Sequence, residues 1–211
     1  MKELLIIGAR GFGRVVYDLA LECIESGLNL KIKGFLDDDA NALNGYEGYP
    51  SIISSVENYN ISENDVFICA LGTPAYKKKY VDIIASKGGH FISLVHPTAA
   101  LGRNAVLGEG CIICLNTNIG QDVKLGNFVT LDGYSSIGHD ASVGDYSHIG
   151  AYSFAAGYVR IESGVVVHPG AKIVPHKRIG RDSIIGVGSV VISNVREGCT
   201  VFGNPAKKVE L

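Results

Sequence analysis

The second half of the sequence repeats every six residues, and this period limits the possible folds more than any other feature. From Val95 to Arg196 the chain divides into 17 consecutive six-residue units without an insertion. The first position of a unit is Val, Leu or Ile in 16 of the 17, and the second is Gly in 9. The fifth position is nearly always small or β-branched, and Lys177 is the exception. Neither an α-helix nor a heptad coiled coil has this period.

The repeat predicts a triangular parallel β-helix in which three units make one turn. First-position side chains would point inward and stack on residues about 18 positions away in the neighbouring turns. The fifth position also faces inward, with less room. Glycine at the second position is expected to supply backbone conformations that other residues resist. The 17 units correspond to about 5.7 turns, 17 divided by 3.

The first half of the sequence alternates short apolar runs with segments of helical periodicity, which predicts a small α/β domain with a parallel sheet. Thr73 and Pro74 have the residue types expected at the N-cap and first position of the second helix. We place the domain boundary between residues 94 and 95. The expected strands are 2–8, 30–39, 65–72 and 91–95, and the expected helices are 14–26 and 75–88.

Three glycines follow the first strand in the order G-x-x-G-x-G, at Gly8, Gly11 and Gly13. This is not the dinucleotide-binding order G-x-G-x-x-G. A tight turn that leads into a helix nevertheless presents free backbone N–H groups to an anion. Asp37, after the second strand, stands where a carboxylate can bind a ribose or base. The spacing favours a phosphate site and a purely structural turn equally.

Composition excludes several classes of protein. A formal net charge of −2 gives no broad basic surface for nucleic acid. The first apolar run is short and enters a glycine turn, so we expect a strand, with no signal peptide and no membrane contact. Five scattered cysteines suit a reducing compartment, which favours the cytoplasm. Cys111 and Cys114 form a single C-x-x-C motif within the repeat and are expected to be buried.

Two histidines in "IGHDASVGDYSHIG" lie outside the inward positions of the repeat. The neutral imidazole of His139 is suited to act as a general base, and Asp140 follows it directly. Adjacent strand residues point to opposite faces, so contact between the two needs a bend. His148 falls half a turn further on, so the two histidines would meet only between two copies of the chain.

The remaining histidines give no support for a metal centre. Zinc enzymes with a β-helix bind the metal through three histidines, two of which are five residues apart. In this sequence His139, His148, His168 and His176 are separated by 9, 20 and 8 residues, so that spacing does not occur among them. We therefore expect no metal. His168 and His176 are expected to be surface residues without a role.

The repeat resembles that of the hexapeptide-repeat acyltransferases, over the whole second half of the chain. The segment "VFGNPAKKV", residues 201–209, is similar to the terminal signature of the acetyl-CoA-using members. The motifs "GARGFG", "GFLDDD", "ICALGTP" and "HPTA" resemble one branch, the sialic acid O-acetyltransferases and the bacterial UDP-4-amino-sugar N-acetyltransferases. This implies a Rossmann-like α/β domain, residues 1–94, followed by a left-handed parallel β-helix with a CoA-binding tail, residues 95–211.

The resemblance also implies the site residues. His139 is the matching base and Asp140 its acidic partner. Phe12 stands where many N-acetyltransferases have histidine, and Asp132 where asparagine is common. The implied substrate contacts are Arg10, Gly11, Phe12, Asp37, Asp38, Gly72 and Asp132. The implied acetyl-CoA contacts are His148, Gly157, Gly186, Val187, Lys207 and Lys208.

The sequence as a whole favours an acetyl-CoA-dependent acetyltransferase that acts on an amino sugar, with a nucleotide-activated sugar as the expected substrate, in bacterial glycan biosynthesis. The resemblance further implies a homotrimer with active sites between subunits. One alternative is O-acetylation of a free sugar acid such as a sialic acid. Another is a nucleotide-sugar binding or assembly protein without catalysis, which His139–Asp140 and the "GNPAKK" tail argue against.

Overall fold

The structure is a computed structural model that describes residues 1–209. The chain forms two compact units, Met1–Pro97 and a second that begins at Thr98. The first is α/β and the second is a β-helix.

The first unit contains a parallel sheet of four strands, in the spatial order β3 (Ile52–Ser54), β2 (Leu30–Leu36), β1 (Lys2–Ile7) and β4 (Asp65–Cys69). The predicted α/β class is confirmed. The short β3 was not predicted, because three residues are too few to show a period. The elements are β1 Lys2–Ile7, α1 Gly11–Glu25, β2 Leu30–Leu36, β3 Ile52–Ser54, β4 Asp65–Cys69, α2 Pro74–Ser86 and β5 Leu94–Val95.

The second helix begins where the sequence places it, whereas the first begins earlier than predicted. Thr73 is the N-cap of α2 and Pro74 its first residue, as predicted, although the Thr73 side chain makes no capping hydrogen bond. Helix α1 begins at Gly11, three residues before the predicted start. Position 13 requires glycine, because a β-carbon on Gly13 would collide with the backbone carbonyl of Gly8. The glycine turn therefore brings the first turn of α1 against the end of β1.

A buried carboxylate anchors the start of β4. Asp65 accepts hydrogen bonds from the Lys33 ammonium at 2.6 Å, the Tyr59 hydroxyl at 2.7 Å and the Ser62 backbone N–H at 2.7 Å. Burial raises the pKa of this carboxyl, but the hydrogen bonds, led by that from Lys33, outweigh burial and lower it below its usual value.

The second unit is a left-handed parallel β-helix, as predicted. Its two-residue strands form three parallel ladders with an 18-residue step, for example Ile119, Ile137 and Ala155. One ladder contains the strands that end at Ile113, Leu131, Ile149, Val167 and Ile185, followed after 16 residues by Thr200–Phe202. The second contains the strands that end at Leu101, Ile119, Ile137, Ala155, Ile173 and Val191, and the third those that end at Leu125, Val143, Ile161 and Ile179. First-position side chains from Ile119 to Val191 are buried and form the core.

The strands of the second unit are β6 Ala100–Leu101, β7 Ile112–Ile113, β8 Asn118–Ile119, β9 Lys124–Leu125, β10 Thr130–Leu131, β11 Ser136–Ile137, β12 Ser142–Val143, β13 His148–Ile149, β14 Phe154–Ala155, β15 Arg160–Ile161, β16 Val166–Val167, β17 Lys172–Ile173, β18 Arg178–Ile179, β19 Ile184–Ile185, β20 Val190–Val191, β21 Thr200–Phe202 and β22 Lys207–Val209.

The second-position glycines have a different role from the one predicted. The left-handed backbone conformation falls on the fourth position of the units, for example at Tyr134 with φ 61° and Asp140 with φ 57°. At most of the second-position glycines the next coil passes too close for a β-carbon. A β-carbon on Gly138 would lie 2.5 Å from the backbone nitrogen of Gly157. The expectation of unusual dihedrals there was wrong, and close approach explains these glycines instead.

The six-residue register ends after Val191. Ile179 pairs with Val195, only 16 residues further on, so the last predicted unit is two residues shorter than the others. The C-terminal segment then turns back, and β22 pairs antiparallel with β21.

Candidate active site

His139 and Asp140 are held together by a corner of the β-helix. Nδ1 of His139 lies 2.8 Å from Oδ2 of Asp140. The left-handed conformation of Asp140, with φ 57°, supplies the bend that lets adjacent residues meet. Because an ionised carboxylate can only accept, a neutral imidazole here carries its proton on Nδ1 and leaves Nε2 as the acceptor. The imidazole is 56% exposed, so its basic nitrogen is accessible.

The surroundings of His139 come from the next coil. The Tyr158 ring packs edge-on against the imidazole, with centroids 5.2 Å apart. Gly157, directly before Tyr158, faces the same ring without a side chain. Within residues 1–209 the Gly157 N–H has no hydrogen-bond acceptor. The arrangement combines a base, an aromatic support and a free donor, which are the elements that acyl transfer needs.

His148 is paired with a different carboxylate. Its Nε2 lies 2.9 Å from Oδ2 of Asp132 on the preceding coil, and both side chains are largely buried. Burial, with the nearby Asp132 carboxylate, raises the pKa of Cys114 to about 12. Cys111 and Cys114 are both buried, as predicted. The structure thus joins Asp132 and His148, which were predicted to contact different substrates.

Gly186 and Val187 lie between two and three coils beyond His139, and Lys207 and Lys208 lie further towards the C-terminal end, on the strand that pairs with Thr200–Phe202. Gly186 packs against the ring of Phe202, where a β-carbon would collide. Val187 is exposed. Lys207 and Lys208 lie on β22 with exposed side chains.

The glycine loop of the first unit borders a cleft of about 250 Å³. It lies at the N-terminus of α1, where backbone N–H groups favour an anion. Five of the predicted substrate contacts line this cleft, namely Arg10, Phe12, Asp37, Asp38 and Gly72. Gly11 is not among the lining residues, and Asp132 belongs to the other unit. The lining residues are Ile7, Gly8, Arg10, Phe12, Gly13, Leu36, Asp37, Asp38, Val56, Ala70, Leu71, Gly72 and Tyr80.

The acidic residues of this cleft are already engaged by the protein. The two carboxylate oxygens of Asp37 accept from the backbone N–H groups of Ala9 at 2.8 Å and Asp39 at 2.9 Å. Arg10 forms an exposed ion pair with Asp39 at 2.8 Å. Asp37 therefore ties the glycine loop to the "DDD" loop.

Sequence reasoning missed Tyr80, on α2. Its hydroxyl donates to Oδ2 of Asp38 at 2.5 Å. This hydrogen bond and burial raise the pKa of Tyr80 to about 12. The two residues are 42 positions apart, and no local pattern marks a tyrosine on a helix as a partner for a loop carboxylate.

Within residues 1–209, no three His, Cys, Asp or Glu side chains are grouped so that they would hold a metal ion. None of the helices there is long and apolar enough to cross a bilayer.

Residues 3–84, in the first unit, match the PglD N-terminal domain family. The UDP-N-acetylbacillosamine N-acetyltransferase of Bacillus subtilis is 28% identical over 117 residues, 54% of this chain and 51% of that protein. The matched stretch therefore spans about half the length of that curated relative.

Solved structures extend the likeness beyond the PglD N-terminal domain. The acetyltransferase domain of PglB from Neisseria gonorrhoeae is 26% identical, with 99% of this chain and 100% of that chain covered and a TM-score of 0.89. WeeI from Acinetobacter baumannii is 26% identical with the same coverage and a TM-score of 0.86. PerB from Caulobacter crescentus, solved with CoA and GDP-perosamine, shares the fold at 24% identity, TM-score 0.88, over 100% of this chain and 98% of that one.

The match of residues 3–84 to the PglD N-terminal domain family, together with the left-handed β-helix and the likeness to the solved acetyltransferases, confirms the resemblance to the hexapeptide-repeat sugar acetyltransferases. Within the chain, the structure brings together His139, Asp140 and Gly157, and separately Asp132 and His148. Among the described residues no contact joins the two histidines.

Proposed function

We propose that the chain is an acetyl-CoA-dependent N-acetyltransferase that acts on a nucleotide-activated amino sugar in bacterial glycan biosynthesis. The observation that carries this proposal is the exposed imidazole of His139, whose Nδ1 is engaged by Asp140 and whose Nε2 faces Gly157, a residue whose N–H has no acceptor among residues 1–209. The names of the relatives support the class of acceptor.

The proposed reaction is direct transfer in a ternary complex. The sugar amine attacks the thioester carbonyl carbon, the C–N bond forms, and Nε2 of His139 takes the proton from the nitrogen. The Gly157 N–H donates to the carbonyl oxygen as it becomes negative. The C–S bond then breaks, and CoA leaves and is protonated. No residue of the chain becomes acetylated.

We assign the nucleotide of the activated sugar to the cleft of the first unit, with the phosphate attached to its nucleoside at the N-terminus of α1. The apolar walls and Phe12 suit a base, and Arg10 offers an exposed cation. Gly11, Asp37, Asp38 and Gly72 are assigned to the same ligand. Asp132, paired with His148, is assigned to the acceptor sugar.

Acetyl-CoA is assigned to the β-helix, on the C-terminal side of His139. We place its acyl end near His148 and Gly157, its arm along Gly186 and Val187, and its phosphates at Lys207 and Lys208. The exposed positions of the two lysines on β22 suit this role.

We further propose a cytoplasmic homotrimer with active sites between subunits. The β-helix exposes large apolar side chains, among them Tyr152 at 65% and Phe154 at 44%, which favours burial against another copy. All five cysteines are free, which suits a reducing compartment. Light scattering on the purified protein tests the assembly, and a monomer at assay concentration would contradict it.

The test of the activity is a thiol-release assay with acetyl-CoA and a panel of nucleotide-linked amino sugars, with products read by mass. We expect transfer to at least one of them, and a loss of about 10²- to 10⁴-fold in kcat/KM for His139→Ala. The matched control is His168→Ala, an exposed histidine of the same β-helix. Unchanged kcat/KM in His139→Ala contradicts the base assignment, and acetylation of sialic acid alone favours O-acetylation instead.

A further inference from the structure

Lys177 breaks the rule of the repeat. It stands at the fifth position of its unit, in the same column as Val123, Ala141 and Val159, which are all fully buried. A charged side chain there interrupts an apolar core column. Lys177 is half-buried, so its alkyl stem lies at the core while its ammonium reaches the surface.

The ammonium end of Lys177 reaches a cleft of about 300 Å³ on the β-helix. We call this the basic cleft and define it by Tyr158, Arg160, His176, Lys177 and Arg178. Asp140, the partner of His139, lies at one side of it.

The cations of the basic cleft are crowded. Arg160 and Arg178 are direct partners in a parallel ladder, so their backbones are about 4.8 Å apart. Like charges placed directly opposite one another destabilise a sheet. Within residues 1–209, Arg160 and Lys177 form no ion pair. An anion bound between them would relieve this repulsion.

Arg178 is held in place by a carboxylate. Its Nε donates to Glu162 at 2.6 Å, and the other carboxylate oxygen of Glu162 accepts from the Arg181 backbone N–H at 2.9 Å. The Arg178 guanidinium beside it lowers the pKa of Glu162. One cation of the basic cleft is therefore pre-positioned, and the other two are uncompensated.

Aromatic rings connect the basic cleft to the proposed base. Tyr158 stacks on His176 with centroids 4.8 Å apart and an interplanar angle of 6°, and its edge contacts His139. A sugar ring that presents its amine to His139 would find a flat aromatic surface alongside it. With 18 residues in each coil, Arg160 lies about one coil and Lys177 and Arg178 about two coils beyond His139. This corresponds to about 5 to 10 Å along the axis of the β-helix.

We infer that the basic cleft is a phosphate-binding subsite, in which Arg160, Lys177 and Arg178 hold a phosphate group of a substrate whose reactive end lies at His139. The distance suits a phosphate separated from the reacting amine by a single sugar ring. The assignment to a substrate rests on the proposed acetyl transfer, whereas the binding of phosphate does not.

Calorimetry with inorganic pyrophosphate tests the binding without any turnover. The variants are Lys177→Met, which keeps the apolar stem, and Arg160→Gln. The matched control is Lys124→Ala, an exposed cation in the same outward register of the same ladder but on the other side of Ser142. We expect both cleft variants to lose one pyrophosphate site per chain, or to bind it about tenfold more weakly, with the control unchanged. Wild-type binding in both cleft variants overturns the inference.

Steady-state kinetics identify the source of the phosphate. We expect the cleft variants to raise the KM for the sugar nucleotide about tenfold, with little change in kcat and in the KM for acetyl-CoA. A rise in the KM for acetyl-CoA instead assigns the subsite to the phosphates of CoA. Loss of pyrophosphate binding with both KM values unchanged overturns the role in substrate binding. Absence of acetyl transfer in the wild type, with the pyrophosphate result intact, would overturn the proposed function alone.

Discussion

An ideal β-carbon on Gly157 would lie 2.7 Å from Nε2 of His139. This is closer than real β-carbons approach, so the glycine keeps open the space at the basic nitrogen. Gly157 stands at the third position of its unit, exactly one 18-residue coil after His139. A side chain there would either push the imidazole away or cover Nε2.

Gly157→Ala therefore should lower kcat/KM about tenfold or more, since small displacements of a reacting group slow catalysis strongly. Gly157 has an ordinary backbone φ, so the melting temperature is expected to change little. Gly133→Ala is the control, another third-position glycine whose added β-carbon would meet a movable Leu115 side chain at 3.0 Å. Thiol release and thermal denaturation of both variants check this. Full activity in Gly157→Ala would contradict the importance of this space.

Asp140→Asn should reduce kcat by about tenfold while the KM values stay nearly constant. Asparagine tolerates the left-handed conformation of the corner, so the fold is retained. The amide no longer fixes the proton on Nδ1 of His139. A modest effect is expected because the pair is half-exposed and solvent weakens it. The measurement is a kinetic comparison with Asp122→Asn, at the same corner position one coil earlier.

Asp37→Ala should destabilise the first unit by about 1 to 3 kcal/mol even without ligand, because two backbone N–H groups lose their acceptor. Arg10→Ala, which breaks only an exposed ion pair, should cost less than about 1 kcal/mol. Urea denaturation of the ligand-free protein distinguishes them. Equal stability of the two variants would indicate that Asp37 acts only on the ligand.

Asp65→Ala should cost about 3 kcal/mol at neutral pH, since it leaves the Lys33 ammonium without its main partner. The pKa of Asp65 is lower in the folded state than in the unfolded chain. Its contribution to stability is therefore complete above the unfolded value of about 4 and is lost as pH falls through the folded value. Unfolding free energies at pH 7 and pH 3 should show the gap between wild type and variant shrinking in acid. A constant gap would contradict the linkage.

The order of elements and the β-helix were predictable because their signals are local. A buried position every six residues follows directly from the strand-and-corner geometry, and the register from Ile119 to Val191 appears in the structure as it does in the sequence. The same register showed that His139 and His148 are outside the inward positions. The shortening of the coil before Val195 could not be predicted from the sequence, because the six-residue pattern of residue types continues through Arg196.

The candidate site was predictable in its residue types and not in its contacts. Asp140 reaches its neighbour His139 only through a left-handed backbone, and no residue type in the sequence specifies that conformation at the fourth position, where Asn, Asp, Phe, Tyr and His all occur. The commitment of Asp37 to backbone N–H groups was equally hidden. So was the hydrogen bond from Tyr80 to Asp38, which joins residues 42 positions apart.

The sequence by itself determined which residues of this protein form the core columns and which stand free of them, because a six-residue period assigns every side chain a direction. Tertiary structure decided how the free residues are combined. His139 pairs with Asp140 and faces Gly157, His148 pairs with Asp132, and Lys177 leaves the core column to join two arginines. The physical reason is that side-chain direction follows from local backbone geometry, whereas pairing depends on which coils and loops the whole fold brings within hydrogen-bonding distance.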